Sequence, residues 1–590
     1  MSSSSSPSSK WIKSIGSGRA RRTDKEAREK ISRAKETART WKAENEWDET
    51  YDYVIVGAGS AGCALAGRLA MKLPNLRNVL IEAGQHDDIP EIQTAVDYFG
   101  KVESVFGSER DWLYASEPQD ELAGRGFYWP RGKVIGGCSS FNTMVYLRGD
   151  PEDYENWGRM LNAPKEWGHE SFIQHFIDAE THALHDPVSK EQHHGGSGPI
   201  MVAPLNHPWH SSDGDASHFI TRQFINACTR LGFSLNLDFA KGTEGVGVND
   251  VNAWAGKRCN AAAYLKMCGC YPRSDCSDEI VSPNNALTVK LSTHVLKIVL
   301  DETPKAVGIE VLDSEGKKRR IQASKGVCLC AGAVNTPQIL MLSGIGPEGH
   351  LDDVGIECIV NLNGVGENLQ DHLHVPMCYR VESDVKPHST SNICEGSLFT
   401  RVNPESISPD LQVHIGAFFF DPSVFTPLGE GFTLTPSLIH PKSRGSIRLR
   451  SKDVFERPLI QANYLTEEED LQTLVKGVKL VREIGSEMLG VVNGKEIYPG
   501  PNVQSDDDIK NYVINHVGTM YHPACTCRVG RDDDLGAVLD LRLHVRGVEN
   551  LRVADASAMP EIIGANTNAT CIALGERLAS FIVQEELNLQ

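Results

Sequence analysis

Three glycines, Gly57, Gly59 and Gly62, stand in GxGxxG spacing within YDYVIVGAGSAGCALAGRLA, between an apolar run and an alanine-rich one. That spacing suits the holding of a pyrophosphate. Gly57 permits a tight turn, Gly59 lets main chain approach the phosphates, and Gly62 lets a helix lie close to a strand. Ser60 and Ala61 fall in the first helical turn, where unpaired N–H groups and the positive dipole end face an anion. Glu82 closes the next apolar run, NVLIEAG, about twenty residues on. Its carboxylate suits a ribose and repels a 2′-phosphate, which disfavours NADP. The glycines alone do not separate FAD from NAD, and a turn without a ligand is the plain alternative.

A second stretch, RGKVIGGCSSFNTMVYLRGD (131–150), crowds glycines and small hydroxyl residues together before an apolar run. Gly136, Gly137 and Ser139 leave main chain bare. Phe141 is the one bulky ring in its polar part.

The elements that must position these residues begin with a βαβ unit. A buried parallel strand covers 53–56, the glycine turn and an alanine-rich helix follow, and a second strand covers 78–84. LTVKLSTHVLKIVL and GVCLCAGAV read as further strands. DLQVHIGAFFF, FTLTPSLIH and GSIRLRS, separated by polar turns, read as an antiparallel sheet, followed by a helix at EEEDLQTLVKGVKLVREIG. The expectation is an α/β protein in which a doubly wound, Rossmann-like domain is interleaved with a domain built on an antiparallel sheet with helices.

A chain of 590 residues is too long for one simple core. Its net charge of -19 argues against nucleic acid as a partner. No apolar run reaches membrane-spanning length, so no transmembrane segment is expected. Fifteen cysteines form no repeating framework, which suggests a reducing, intracellular setting. The cluster Cys268, Cys270 and Cys276 fits no zinc spacing, and no metal constellation is visible. Residues 1–50 form a serine-rich, then charged extension, read either as an organellar transit peptide or as a solvated helix. Cytoplasm and organelle both remain open. No G-x-S-x-G elbow supports a hydrolase.

RGKVIGGCSSFN, GAVNTPQILMLSGIG (332–346), NGVGENLQDH (363–372), YHPACTCRVG and LRVADASAMPEIIGANTNAT together resemble the glucose–methanol–choline (GMC) family of flavin oxidoreductases, from about Tyr51 to the C-terminal region. The resemblance implies bound FAD and oxidation of an alcohol, with hydride passing to flavin N5. It implies that His522 handles the hydroxyl proton and that Asn566, at the paired second position, hydrogen-bonds the substrate oxygen. It places Gly136, Gly137 and Ser139 along the flavin, Asn142 beside the isoalloxazine, Asp555 and Ala556 on the cofactor, and the Val295 backbone at adenine. A strand-end cap for Asp555 and an ordinary strand position for Val295 are the plain readings. The implied division is 51–370, mainly FAD-binding with a substrate-domain part near 155–235, then 371–515, mainly substrate-binding, then 516–590, returning to the FAD domain with the catalytic residues. Partners would be a small alcohol and oxygen or another electron acceptor, and a homodimer is compatible with the family.

Within the family, several segments are most similar to choline-oxidising members. In those, a histidine at the position of Phe141 carries the flavin covalently. A phenyl ring has no nucleophile, so unlinked FAD is expected. Glu395 in NICEGSLFT matches a carboxylate that holds a trimethylammonium group, and Trp112 and Tyr521 would supply aromatic faces. Ile393 and Cys394 stand where tryptophans precede that carboxylate, and a surface acid is the alternative reading of Glu395. The expected substrate is a primary alcohol, choline or a similar amino alcohol first, taken to the aldehyde or onward to the acid. Apolar or aromatic alcohols, and chemistry of the fatty-acid photodecarboxylase or hydroxynitrile lyase type, are the alternatives.

Overall fold

The computed structural model describes residues 46–95, 102–189, 193–210, 219–381, 394–421, 426–427 and 431–588. The expected leader or solvated helix lies outside the described residues, apart from its last few positions, and so does Ile393.

The chain opens with strand β1 (Glu49–Val56), helix α1 (Ser60–Lys72) and β2 (Asn78–Ile81). Helix α2 (Phe219–Arg230) and β3 (Gly245–Val248) follow, then β4 (Leu287–Lys290), β5 (His294–Leu300), β6 (Ala306–Leu312), β7 (Lys318–Leu329) and α3 (Gly332–Leu342). Next come β8 (Leu373–His374), β9 (Met377–Val381), β10 (Gly396–Thr400), β11 (Leu411–Gly416) and β12 (Gly431–Leu438). The last elements used below are α4 (Glu468–Val492), β13 (Gly494–Tyr498), β14 (Leu551–Val553) and α5 (Asn568–Asn588).

The first sheet runs Glu279–Val281, β4, β2, β1, β7, β6, β5, with β14 added beside β7. Its centre is parallel and its two flanks are antiparallel. Val54, Ile55 and Val56 of β1 and all four residues of β2 are buried, because both faces of the sheet are covered. LTVKLSTHVLKIVL breaks at Ser292, whose φ is 49°, into the parallel strand β4 and the antiparallel strand β5. Helix α1 is built from small residues and packs tightly against α5. Arg68 of α1 pairs with Glu576 of α5 at 2.8 Å, and the Tyr264 hydroxyl donates to the same carboxylate.

The second sheet runs β13, β9, β12, β11, β10, β3, with β8 also on β12, and every pairing is antiparallel. β3 comes from within the stretch expected to be mainly FAD-binding, so the two units interleave further than the sequence motifs indicate. GSIRLRS does not join this sheet; Ser446–Arg448 pairs instead with Leu459–Gln461 as a separate ribbon. Leu411 of β11 and Pro436 of β12 lie against Gly477 of α4, which fixes the apolar side of the sheet. Gln412, His414, Thr433, Thr435 and Ser437 face the other way.

Away from the sheets, Glu180, His182 and His194 lie close enough to suggest a metal-ligand set. Their pairing shows an ion-pair network instead. Arg148 binds Glu180 at 2.6 Å, and His194 bridges Glu180 at 3.1 Å and Asp238 at 3.2 Å. His182 Nδ1 accepts the Leu184 N–H, so its proton sits on Nε2, 3.4 Å from Asp250. Neither ring has a lone pair to offer a metal in that state. None of the fifteen cysteines forms a disulfide, the Cys268, Cys270 and Cys276 cluster included.

Burial pulls the His194 pKa down, but hydrogen bonds to Asp238 and Glu180 outweigh it and hold the imidazole up at about 9. A raised imidazole stabilises the fold fully below its unfolded value of about 6.5 and loses that contribution as pH rises through about 9. Wild-type protein should therefore lose stability, by on the order of 2 kcal/mol, as pH is raised across that window. His194→Gln should flatten this alkaline slope in thermal melts followed by circular dichroism; an unchanged slope would refute the assignment.

Candidate active site

A cavity of about 410 Å³ is lined from both sheets. Gly57, Gly59, Ser60, Ala61, Glu82 and Val295 line one part of it. Gly57 has φ 97°, and a Cβ there would meet the Cys330 carbonyl at 2.5 Å, so the turn itself demands glycine. Gly62 does not line the cavity; a Cβ on it would fall 1.9 Å from the Gly57 carbonyl, and its absence lets α1 start against the turn. Gly59 is different. A Cβ there would meet no protein atom nearer than 4.0 Å, so packing does not explain the glycine, whereas close approach of a pyrophosphate does.

Glu82 accepts the Ala58 N–H at 2.9 Å and the Gly84 N–H at 2.8 Å. Burial pushes its carboxyl up to about 7. Ser60 donates to Asn568 at the head of α5 at 2.7 Å. Asp555 accepts from Ser557, and its second oxygen takes the Gly332 N–H at 2.9 Å and the Thr336 hydroxyl at 2.6 Å. It thus ties the segment after β14 to the start of α3, and both it and Ala556 line the cavity.

In the glycine-rich stretch, Gly137 and Asn142 line the cavity and Gly136 and Ser139 do not. Gly136 has φ 84° and is boxed in by Ser140 and Asn260. The Ser139 hydroxyl donates to the Gly136 carbonyl at 2.6 Å and accepts the Ala261 N–H at 3.0 Å, so it holds the loop's shape. A Cβ on Gly137 would lie 2.8 Å from Gly59 Cα: the two loops touch main chain to main chain. Asn142 accepts from Arg258 at 2.7 Å, a buried guanidinium that no sequence motif marked. Phe141 packs its ring on Phe106, centroids 5.7 Å apart, and forms part of the cavity wall.

At the other part of the cavity, His522 Nε2 lies 3.3 Å from Asn566 Nδ2, and His522 Nδ1 lies 3.0 Å from His372 Nδ1. The tautomer that satisfies both contacts has His522 Nδ1–H donating to His372, which leaves the Nε2 lone pair on the Asn566 side. Burial, with His372 and Arg131 nearby, holds the His522 imidazole well below its usual pKa, so it is neutral near pH 7. Burial likewise puts His372 at about 3. The His522 backbone N–H donates to Asp371 at 2.8 Å, and Asp371 also receives the Tyr464 and Thr519 hydroxyls, both at 2.5 Å. This buried carboxylate clamps the loop that carries His522. Tyr521 precedes His522 with φ 64°, and its carbonyl accepts from Arg131 at 2.6 Å. Tyr521 and Trp112 both line the cavity; Trp112 is stacked on Tyr114 at 6.0 Å.

Glu395 is the exception among the expected substrate contacts. Cys394 lines the cavity and Glu395 does not. Its carboxylate is fully buried and accepts the Thr221 hydroxyl of α2 at 2.6 Å, so it is neither a surface acid nor a cavity-facing anion. The wall it was expected to occupy is built by His374, His414, Thr433 and Thr435. No motif marked these, but the strict alternation of His414, Thr433 and Thr435 with apolar residues in LQVHIG and FTLTPSL was readable, whereas His374 lies outside both segments.

The chain belongs to the GMC oxidoreductase family, whose N-terminal pattern matches residues 51–374 and whose C-terminal pattern matches residues 441–575. It is 35% identical over 563 residues to alcohol dehydrogenase [acceptor] of Pseudomonas putida, covering 91% of this chain and 96% of that protein. It is 36% identical to mitochondrial choline dehydrogenase of Homo sapiens, covering 92% and 91%. The crystal structure of pyridoxine 4-oxidase from Mesorbium loti superposes with a TM-score of 0.79 at 30% identity, covering 90% of this chain and 98% of that one. The protein is thus an FAD-dependent oxidoreductase acting on alcohols. No helix among the described residues is long and apolar enough to cross a membrane.

The two touching glycines separate folding from cofactor binding. Gly59→Ala should leave the melting temperature of cofactor-free protein unchanged and weaken FAD binding by about tenfold or more, read by flavin fluorescence titration. Gly137→Ala, strained at φ 54° and blocked by Gly59, should lower both. Equal FAD affinity in Gly59→Ala would remove the pyrophosphate assignment.

Proposed function

We propose that the protein oxidises a primary alcohol to the aldehyde, with His522 taking the hydroxyl proton and Asn566 holding the substrate oxygen. The observation that carries this reading is the 3.3 Å contact between His522 Nε2 and Asn566 Nδ2 in the cavity that also contains the GxGxxG turn. As the carbonyl forms, the hydroxyl O–H bond gives its proton to Nε2 and the carbinol C–H bond gives its hydrogen and electron pair away as hydride. Bound FAD supplies the hydride acceptor, from which the two electrons pass to oxygen or another acceptor. The glycine turn, Glu82, Ser60, Asn568 and Val295 would hold its nucleotide part, and Gly137, Asn142 and Ala556 would lie along the rest. Asn566 retains a second N–H for the substrate oxygen and cannot act as a base. His372 Nδ1, accepting from His522 Nδ1–H, stabilises the imidazolium formed when Nε2 is protonated, and Asp371 holds the loop through the His522 N–H. The paired His522 and Asn566 favour alcohol oxidation over the lyase and photodecarboxylase alternatives.

Choline is the named substrate of two relatives, but the carboxylate expected to hold its cation lies outside the cavity, so the reading proposed here is a primary alcohol without that restriction. FAD is bound without a covalent link, because Phe141 has no atom to form one.

His522→Ala should slow anaerobic flavin reduction by alcohol about 10²- to 10⁴-fold while FAD stays bound. Because the imidazole is depressed well below 6.5, the wild-type rate should hold as pH falls from about 8 to about 6.5. A normal rate in the variant would overturn the role of His522. Acid precipitation of the holoenzyme should leave yellow flavin in the supernatant; colour fixed in the pellet would contradict the unlinked cofactor.

A further inference from the structure

Strand β11 reads LQVHIG and β12 reads GFTLTPSL, each alternating apolar and polar residues. Alternation ordinarily means that the polar side meets water. Here it does not: Gln412, His414, Thr433 and Ser437 are all buried. A polar sheet face withdrawn from water is costly unless its groups find partners. Some do. The Thr433 hydroxyl donates to the Phe418 carbonyl at 2.9 Å, and His414 Nδ1 meets the Ser397 hydroxyl at 3.0 Å. His414 Nε2 and both ring nitrogens of His374 have no hydrogen-bond partner among the described residues.

Register brings these two rings to one place. His374 of β8 stands opposite Ser437 and His414 of β11 stands opposite Thr435, on either side of β12 and on the same face. Both line the cavity that holds His522. Among the described residues that line the cavity, the carboxylates are Glu82 and Asp555, which accept backbone N–H groups at the glycine turn and at α3. Beside the loop that carries His522, Arg131 lines the cavity, whereas the Asp371 carboxylate does not line it and is taken up by the His522 N–H and the Tyr464 and Thr519 hydroxyls.

We propose that His374 and His414 form the substrate-recognition wall and that the substrate is an uncharged alcohol with a hydrogen-bonding group at its far end. This rests on the alcohol-oxidising reading above. A neutral imidazole offers one N–H donor and one nitrogen acceptor. A substrate carbonyl, hydroxyl or heteroaromatic nitrogen completes these pairings, an apolar alcohol leaves them unmade, and a quaternary ammonium finds a cation nearby and no anion to pair with. Burial supports the neutral state, holding His374 at about 4 and His414 at about 3. Sites built to hydrogen-bond a substrate group discriminate strongly against analogues that lack it.

The test uses three alcohols of matched shape with the FAD-loaded enzyme: benzyl alcohol, pyridin-4-ylmethanol and 4-(hydroxymethyl)-1-methylpyridinium. Dissociation constants and rates come from anaerobic flavin reduction, in wild type, His374→Phe, His414→Phe, His374→Gln and His414→Gln. Ring electronics alter the intrinsic rate, so the decisive quantity is how the pyridyl-to-benzyl ratio of kcat/KM changes between proteins. Wild type should favour the pyridyl alcohol by about 10²-fold and use the cation poorly. Either Phe variant should shrink that ratio about tenfold or more through weaker pyridyl binding, and the Gln variants should keep most of it. If the Phe variants do not fold, His374→Leu and His414→Leu take their place: a ratio shrunk about tenfold or more supports the proposal and an unchanged ratio overturns it. An unchanged ratio in folded Phe variants, or a preference for the cation, overturns the recognition wall while alcohol oxidation stands. Absence of flavin reduction by all three and by simple primary alcohols overturns the oxidoreductase reading, and this inference falls with it.

Discussion

Four stretches of main chain meet around the nucleotide turn with no side chain between them, and the rest of the structure is arranged around that contact. A Cβ on Gly57 would strike the carbonyl of Cys330 at the end of β7, and one on Gly62 would strike Gly57. A Cβ on Gly137 would strike Gly59, and one on Gly575 would lie 2.4 Å from the Ala61 carbonyl. Strand β7, helix α1, the glycine-rich loop and helix α5 are therefore locked to one another through backbone atoms, which have no rotamers to relax. The positions of Asn142, Asn566 and Asn568 follow from that lock, since each sits a few residues from one of the touching points.

The opposite wall obeys another constraint. A two-sided buried sheet must find partners for its polar side, and this one finds them only in part: the Thr433 hydroxyl meets the Phe418 carbonyl and His414 Nδ1 meets Ser397, while Gln412 has no side-chain partner among the described residues. His374, His414 and His522 line one space with His372 behind His522, and after burial His372, His414 and His374 each lower the affinity of His522 for a proton. A proton taken up at His522 therefore arrives in an environment that favours its early departure.

The first βαβ unit was legible because its signals are local. GxGxxG, an apolar run before it and Glu82 after it each constrain a handful of adjacent residues. His522 and Asn566, separated by 44 positions, became visible only through resemblance, because nothing local links them. Arg258 carried no signal at all, and Asp371 lay within NGVGENLQDH with nothing to show its role; a buried charged residue looks like any other until its partners are known. Glu395 misled for a related reason. Its neighbourhood suggests a strand start, but which side of the sheet it faces depends on α2, whose Thr221 offers it a hydroxyl. The polar wall was partly written in the alternation of LQVHIG and FTLTPSL, but alternation alone does not say that water is absent from the polar side. GSIRLRS shows the same limit: its strand character held, and its pairing partner was set by distant chain.

Helix α5 closes the molecule. It follows directly on the segment carrying Asn566, presses on α1 along the oldest part of the chain, and supplies Asn568 to Ser60. During synthesis, then, the ribosome must deliver nearly the entire polypeptide before the first-made turn gains its last neighbour. A chain lacking α5 could form the early strands but would leave the nucleotide turn without a neighbour 508 positions further along, so the first-made turn and the last-made helix among the described residues must both be present before that place is complete.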